Sequence, residues 1–367
     1  MGSERRVEVD KSAASAVYSV KTEMTEATNK SIAKNEPLRI VLPGGTGHLG
    51  GILARHFTSS GHRVTVLSRR PSSAAWRVVK WDGENIGNWT EELDGADVVI
   101  DLAGRSVDCR YSAAHRREIM DSRTKSTRIL GEAIRQLANP PGLWMNASTA
   151  TIYRHSVDRA MNETGELGGN ERGVPSTWRF SIEVAKAWEA SFFDAETPGT
   201  RRIALRSAMV MSTGRGGPFE TLLRLVQLGL GGSAGAGTQF MSWVHERDFV
   251  RILEFLMRNE DIEGVVNVAA PNPLPNAEFM RALRVAWGRS FGVSAPRWML
   301  ELGAIFLRTE TELILKSRRV VPARLLDHGF QFDFPEWDAA ARNLMQRRRD
   351  ENACCVPQEI GRSVREN

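Results

Sequence analysis

The chain has 367 residues, with 49 Lys+Arg against 44 Asp+Glu, 41% hydrophobic residues and 25% charged ones. That length suits one large α/β domain or two small ones, and the ordinary composition excludes wholesale disorder. No stretch approaches the roughly 18 uninterrupted apolar residues of a membrane span, and the net charge of +5 is scattered as arginines instead of gathered on one motif, so neither a membrane nor a nucleic acid is expected as a partner.

Residues 1–37 are rich in Ser, Thr, Ala, Lys and Glu without apolar periodicity, and they read as a disordered leader. Glu4, Glu8, Asp10, Glu23 and Glu26 make it a poor transit peptide, and it lacks the apolar stretch of a signal peptide. Short apolar runs then alternate with helical spacing. The expected strands are Leu38–Leu42, Arg63–Leu67, Ala96–Leu102, Gly142–Ala147, Arg202–Leu205 and Val265–Val268, with a further one ending at Trp81-Asp82. Helices are expected at Gly51–Ser60, Ala113–Gln136 and Ile182–Ala195. Such alternation gives a Rossmann-type doubly wound parallel sheet of about seven strands, covered on both faces. From about Leu274 the strands stop, and Ala277–Trp287 and Arg297–Leu307 look helical. The expected organisation is a nucleotide-binding domain over 38–272, a small helical C-terminal lobe closing the ligand edge over 273–345, and a loose polar tail over 346–367. Three cysteines (Cys109, Cys354 and Cys355) make no disulfide framework and have no metal-site spacing, which points to a reducing, cytoplasmic setting.

The strongest local signal is Leu38–Leu42 running into Pro43-Gly44-Gly45-Thr46-Gly47-His48-Leu49-Gly50, with a helix opening behind it. Gly44 permits a tight turn, Gly47 lets the backbone approach a pyrophosphate, and Gly50 allows close packing of the helix. The helix N-terminus then offers free N–H groups and a partial positive charge to phosphates, so a dinucleotide site is predicted. An NAD site places an acid at the end of the second strand, whereas this chain reads Leu67-Ser68-Arg69-Arg70. Ser68 and Arg69 are suited to a 2′-phosphate, which favours NADP(H), the alternative being two solvated arginines on a surface loop. Asp82 either reaches an adenine amine or simply forms the turn before Gly83.

From this turn onward the chain resembles the extended short-chain dehydrogenases/reductases. Asp101-Leu102-Ala103-Gly104 is similar to an Asn-Leu-Ala-Gly element after the fourth strand, and Leu205-Arg206-Ser207-Ala208-Met209-Val210 to a Leu-Arg-(Ser/Thr)-Gly-Val-Val strand. Leu228–Gly232 with Trp243–Asp248, and Val320–Leu326 with Gly329–Phe332, resemble one atypical branch, the YfcH-like "epimerase family" proteins, which end in a small domain of unknown function. The resemblance spans roughly residues 38–345. It implies cofactor contacts at the turn (Gly44, Thr46, Gly47, His48, Leu49), at Ser68 and Arg69, at Leu102, Ala103 and Gly104, at Glu118 and Arg123, and at the backbone of Val210. Read from the residues alone, Glu118 and Arg123 would be an exposed helical ion pair. The resemblance implies an oxidoreductase or epimerase acting on a small polar or nucleotide-linked substrate; the residues are silent on oligomeric state, although related folds often pair through a helical face, which leaves a homodimer open.

The superfamily's Tyr-x-x-x-Lys pair, in which lysine activates a phenol as acid/base, is missing: the three tyrosines are Tyr18, Tyr111 and Tyr153, and none has a lysine four residues on. Ser181 takes the tyrosine's place and Ala185 the lysine's. Lys186 is one residue off, a rotation of about 100° on a helix, and reaches the site only if the helix turns or bulges. Thr149, with Ser148 beside it, is the expected substrate-facing hydroxyl, unless these two merely cap a turn. His245 reads as a buried, hydrogen-bonded histidine ahead of a catalytic one. A protein that binds NADP(H) as a sensor, with little turnover, is the alternative that the missing tyrosine leaves open.

Overall fold

A computed structural model of the chain describes residues 36–214, 216–296 and 312–354. The expectations for residues 1–35 and for a helix at Arg297–Leu307 lie outside the described residues.

The chain enters through β1 (Arg39–Pro43), α1 (His48–Ser59), β2 (Arg63–Ser68), β3 (Arg77–Lys80), β4 (Val98–Asp101), α2 (Ala113–Gln136), β5 (Leu143–Thr149), α3 (Ser176–Phe193) and β6 (Arg201–Ser207). It continues through β7 (Met209–Met211), α4 (Pro218–Gln227), β8 (Phe240–Met241), β9 (Trp243–His245), α5 (Glu246–Arg258), β10 (Gly264–Val268), β11 (Leu274–Pro275) and α6 (Asn276–Trp287). Helices α7 (Glu312–Leu315), α8 (Ala323–Asp327) and α9 (Trp337–Cys354) follow.

Seven strands form one sheet in the order β10-β6-β5-β4-β1-β2-β3, and every pairing in it is parallel. Its strands read as near-continuous apolar runs because both faces are covered; Ile40, Leu42, Val66 and Ile100 are completely buried. The order reverses between β1 and β4, so the loops leaving these two strands diverge and open a crevice at their C-terminal ends. That is where the glycine turn sits.

Several expected bounds shift. The strand foreseen at Ala96–Leu102 is shorter, and β3 stops one residue before Trp81. Strand pairing does not stop at Leu274, because β11 pairs antiparallel with β8. The tail foreseen as loose from Gln346 begins instead as the last turns of α9, anchored by an Arg347–Glu246 ion pair and by Thr213 donating to Glu351 at 2.5 Å. Apolar periodicity fades there, and these polar contacts replace it.

A second apolar core joins α4, α6 and α9: Trp337 stacks on Phe279 with ring centroids 4.0 Å apart and meets Trp243 edge-on at 5.0 Å. Burying an aromatic of this size contributes roughly 1.5–3 kcal/mol. The approach to α9 is fixed by Asp248, fully buried on α5, whose two carboxylate oxygens accept the backbone N–H groups of Asp333 and Phe334, each at 2.8 Å.

Candidate functional site

The glycine turn is held by its own backbone. Gly45 N–H donates to Leu42 O at 3.0 Å, and Gly44 N–H donates across to Leu67 O at 2.9 Å. Gly44 has φ of +71°, and a Cβ there would lie 2.6 Å from the Cα of Ala103, so no larger residue fits. At Gly50 a Cβ would lie 2.3 Å from Gly45 O; the close packing expected of this glycine is against the turn itself. Above Gly47 the nearest atom to a Cβ would be 3.7 Å away, so this position keeps space open to a ligand and not to the protein. No side chain caps the N-terminus of α1, and its first N–H groups face that space.

Two adjoining cavities, of about 880 and 520 Å³, share Gly44, Gly47, Gly104 and Arg105 in their walls. The larger runs over the end of β2, where Thr46, Ser68, exposed Arg69 and Arg70 line it. Ser68 is buried, its Oγ accepting from Arg70 N–H at 3.2 Å and lying 3.3 Å from Thr46 Oγ1. Asp82 lines this cavity too, but it accepts from the backbone N–H groups of Glu84 and Asn85 and from the Asn85 amide. Those bonds hold its carboxyl below the usual range and make it the turn former. Glu118 does not pair with Arg123. It pairs with Arg105 at 2.6 Å, while Arg123 donates to Arg105 O and Ile119 O and lies over the ring of Trp188.

The smaller cavity is lined by His48, Leu49, Leu102, Arg123, Ser148 and Thr149, and by Tyr111, Ser181 and Glu312. Thr149 Oγ1 accepts from Thr151 N–H at 3.2 Å, which leaves its own proton free to aim at a ligand. Ser148 is committed inward, donating to Glu189 at 2.6 Å. Glu189 in turn takes a bidentate pair of bonds from buried Arg206, which also donates to Tyr153. Ser148 is therefore an anchor of the strand end more than a substrate hydroxyl. His48 is bound to Ser212 Oγ at 2.9 Å.

One expected residue is not brought in. Lys186 turns away, donating to Gly168 O at 2.7 Å, and no bulge in α3 recovers the one-residue offset. The side chain of Val210 is buried in the core, and the contact expected of this residue is one of its backbone. His245 is fully buried, caps α5 by accepting from Arg247 N–H and stacks on Phe334; burial drives its imidazole down to about 3.

Sequence reasoning missed Tyr111, Glu312, buried Lys316 and the half-buried Arg318 near it. Lys316 donates to Thr151 O at 2.5 Å, and burial together with the Arg318 charge lowers its ammonium to about 7. At the floor of the cleft Asp101 is fully buried, accepting from Ala103 N–H at 2.9 Å, and burial raises its carboxyl to about 7. Among the described residues no group of three or more His, Cys, Asp and Glu could hold a metal ion, and no helix is long and apolar enough to cross a membrane.

A parallel sheet with its glycine turn at the switch point and a long cleft divided at that turn defines a dinucleotide-binding α/β protein of the short-chain dehydrogenase/reductase type, and the open space over Gly47 fits a pyrophosphate. Residues 40–269 match the NAD dependent epimerase/dehydratase family, and residues 295–344 match a domain of unknown function (DUF1731). The chain belongs to that family. It is 32% identical over 314 residues to the epimerase family protein SDR39U1 of Bos taurus, covering 84% of this chain and 100% of that one. The crystal structure of human epimerase family protein SDR39U1 (isoform 2) with NADPH superposes with a TM-score of 0.72 at 30% identity, over 84% of this chain and 99% of that one. A nucleoside-diphosphate sugar epimerase from Corynebacterium glutamicum is similar at 26% identity and a TM-score of 0.67, over 91% of this chain and 65% of that one.

Proposed function

We infer that this protein binds NADP(H) in the cleft and works as an oxidoreductase or epimerase on a small polar or nucleotide-linked substrate in the smaller cavity. The observation that carries this reading is the β2 end, where Ser68, Arg69 and Arg70 line the larger cavity and no acid awaits a ribose 2′-hydroxyl. The NADPH bound to the human relative and the sugar-nucleotide activity in the name of the Corynebacterium one support it. When bound, the nicotinamide supplies or accepts hydride. Gly47 and the N-terminus of α1 hold the pyrophosphate, Arg69 meets the 2′-phosphate, and Thr149 donates to the substrate oxygen. Lys186 has no part.

Titration calorimetry with NADPH and NADH, followed by exchange of stereospecifically labelled NADPH hydride with a panel of nucleoside-diphosphate sugars, tests both parts. NADPH should bind more tightly by about tenfold to a hundredfold. Equal affinities would overturn the cofactor assignment. The missing Tyr-x-x-x-Lys pair favours a second reading, an NADP(H)-binding sensor; tight NADPH binding without exchange into any sugar of the panel would support it.

A further inference from the structure

The place vacated by the superfamily's tyrosine holds a small network instead. Ser181 donates a short hydrogen bond to Glu312, and the Tyr111 hydroxyl lies 3.2 Å from the same Ser181 Oγ. All three side chains line the smaller cavity together with Thr149. Glu312 is 1% exposed, and its other oxygen accepts from Arg318 at 3.0 Å. A carboxylate so deeply buried is costly unless it is paired, and here an arginine and a hydroxyl satisfy it. The serine's single proton goes to Glu312, so the phenol must donate to Ser181. One lone pair of Oγ is then left for a group in the cavity.

We propose that Ser181 and Glu312 form a proton relay that replaces the missing phenol, with Ser181 touching the substrate oxygen and Glu312 storing the proton. The proposal rests on the cofactor reading above. In the oxidation direction the substrate's O–H bond breaks and its proton passes to Ser181 Oγ. The serine's own proton moves at the same time to Glu312, turning carboxylate into carboxylic acid. The carbinol C–H electron pair leaves as hydride for the oxidised nicotinamide, so the carbinol is oxidised to a carbonyl, the nicotinamide is reduced and Ser181 ends unchanged. Running the steps backwards returns the proton to a carbonyl oxygen. Hydride delivered to the other face of that carbonyl would make the result an epimerisation.

Tyr111 orients Ser181. Arg318 keeps Glu312 aimed at the serine.

Two measurements test the relay. Label exchange between NADPH and the nucleoside-diphosphate sugar panel should fall by about 10²- to 10⁴-fold in Ser181→Ala and Glu312→Gln, the range a positioned acid/base supplies, with partial recovery in Glu312→Asp. NADPH affinity and melting temperature, read on the same variants, should hold. The second readout needs no substrate. The Ser181 hydroxyl donates to the Glu312 carboxylate, so removing it must shift that carboxylate's stretch. Difference infrared spectra of the unmodified protein against Ser181→Ala should therefore show a shifted carboxylate stretch that is absent from the same comparison made in the Glu312→Gln background. Exchange surviving in both variants, or a difference spectrum that Glu312→Gln leaves unchanged, would overturn the relay while the cofactor assignment stands. Failure of the unmodified protein to bind NADPH would instead bring down the reading beneath it.

Discussion

The two ends of the cleft are assembled by different rules. At the nucleotide end, the turn after β1, the end of β2 and the loop after β4 do all the work, and backbone conformation matters more than side chains: Gly44 is required by its φ of +71° and by Ala103 pressed against it. At the far end the cavity is walled by side chains drawn from separate segments. Tyr111 precedes α2, Ser181 lies on α3, and Glu312 comes from a point 131 residues further along the chain. The first end is therefore fixed by local backbone geometry, whereas the second depends on residues that meet only through the packing of distant segments.

Substitutions sharpen this contrast. Gly44→Ala should be the most damaging, costing about 2–5 kcal/mol from left-handed strain and from the clash with Ala103, and losing NADPH binding with it; denaturant melts and titration calorimetry read both. Arg69→Asp should leave the fold intact and collapse or reverse the preference for NADPH, a change of about tenfold to a hundredfold in relative affinity.

Asp101 tests the floor between the two ends. Its carboxyl is held up at about 7 in the fold against 3.8 ordinarily, so the unfolded chain releases that proton at a lower pH than the folded one. Its contribution is complete below about pH 4, declines as pH rises towards 7 and stays lost above. Asp101→Asn should remove that decline, stabilising the protein at pH 8 by about 1–3 kcal/mol and flattening the dependence of melting temperature on pH. The smallest effect is expected from Lys186→Met. Loss of its bond to Gly168 O should cost about 0.5–1.5 kcal/mol, with NADPH affinity unchanged by calorimetry. A large loss of affinity would show that α3 rotates and that the two ends share a cationic contact.

The same contrast explains what could be read in advance. The turn, the parallel sheet and the bounds of α2 follow from local signals, namely glycine spacing, apolar runs and helical periodicity, and each was visible in the residues. The absence of the tyrosine pair was visible too, as was Ser181 in its place. Glu312 was not: nothing in its own neighbourhood tells that it will face Ser181, because pairing across that distance is decided by how the C-terminal segments pack. Lys186 shows the converse error. Its closeness in sequence to the expected site suggested a role, but one residue along a regular helix is enough to turn a side chain out of a cavity. The buried tie of Ser148 to Glu189 was hidden for the same reason as Glu312, since its partner lies on another element.

Asp248 also bears on the order in which the protein is made. Its carboxylate holds the backbone at Asp333 and Phe334, just ahead of Trp337, which in turn completes the core around Phe279 and Trp243. A nascent chain that has emerged only as far as β10 carries every residue of the glycine turn and of the sheet, yet a buried acid on α5 still waits for its donors and an aromatic core lacks its last ring. Domains tend to form from the N-terminus during synthesis, so the nucleotide end can be shaped early while the end holding Ser181 receives Glu312 only later. A chain cut short by a premature stop after β10 would keep a nucleotide cradle and have no proton store opposite Ser181.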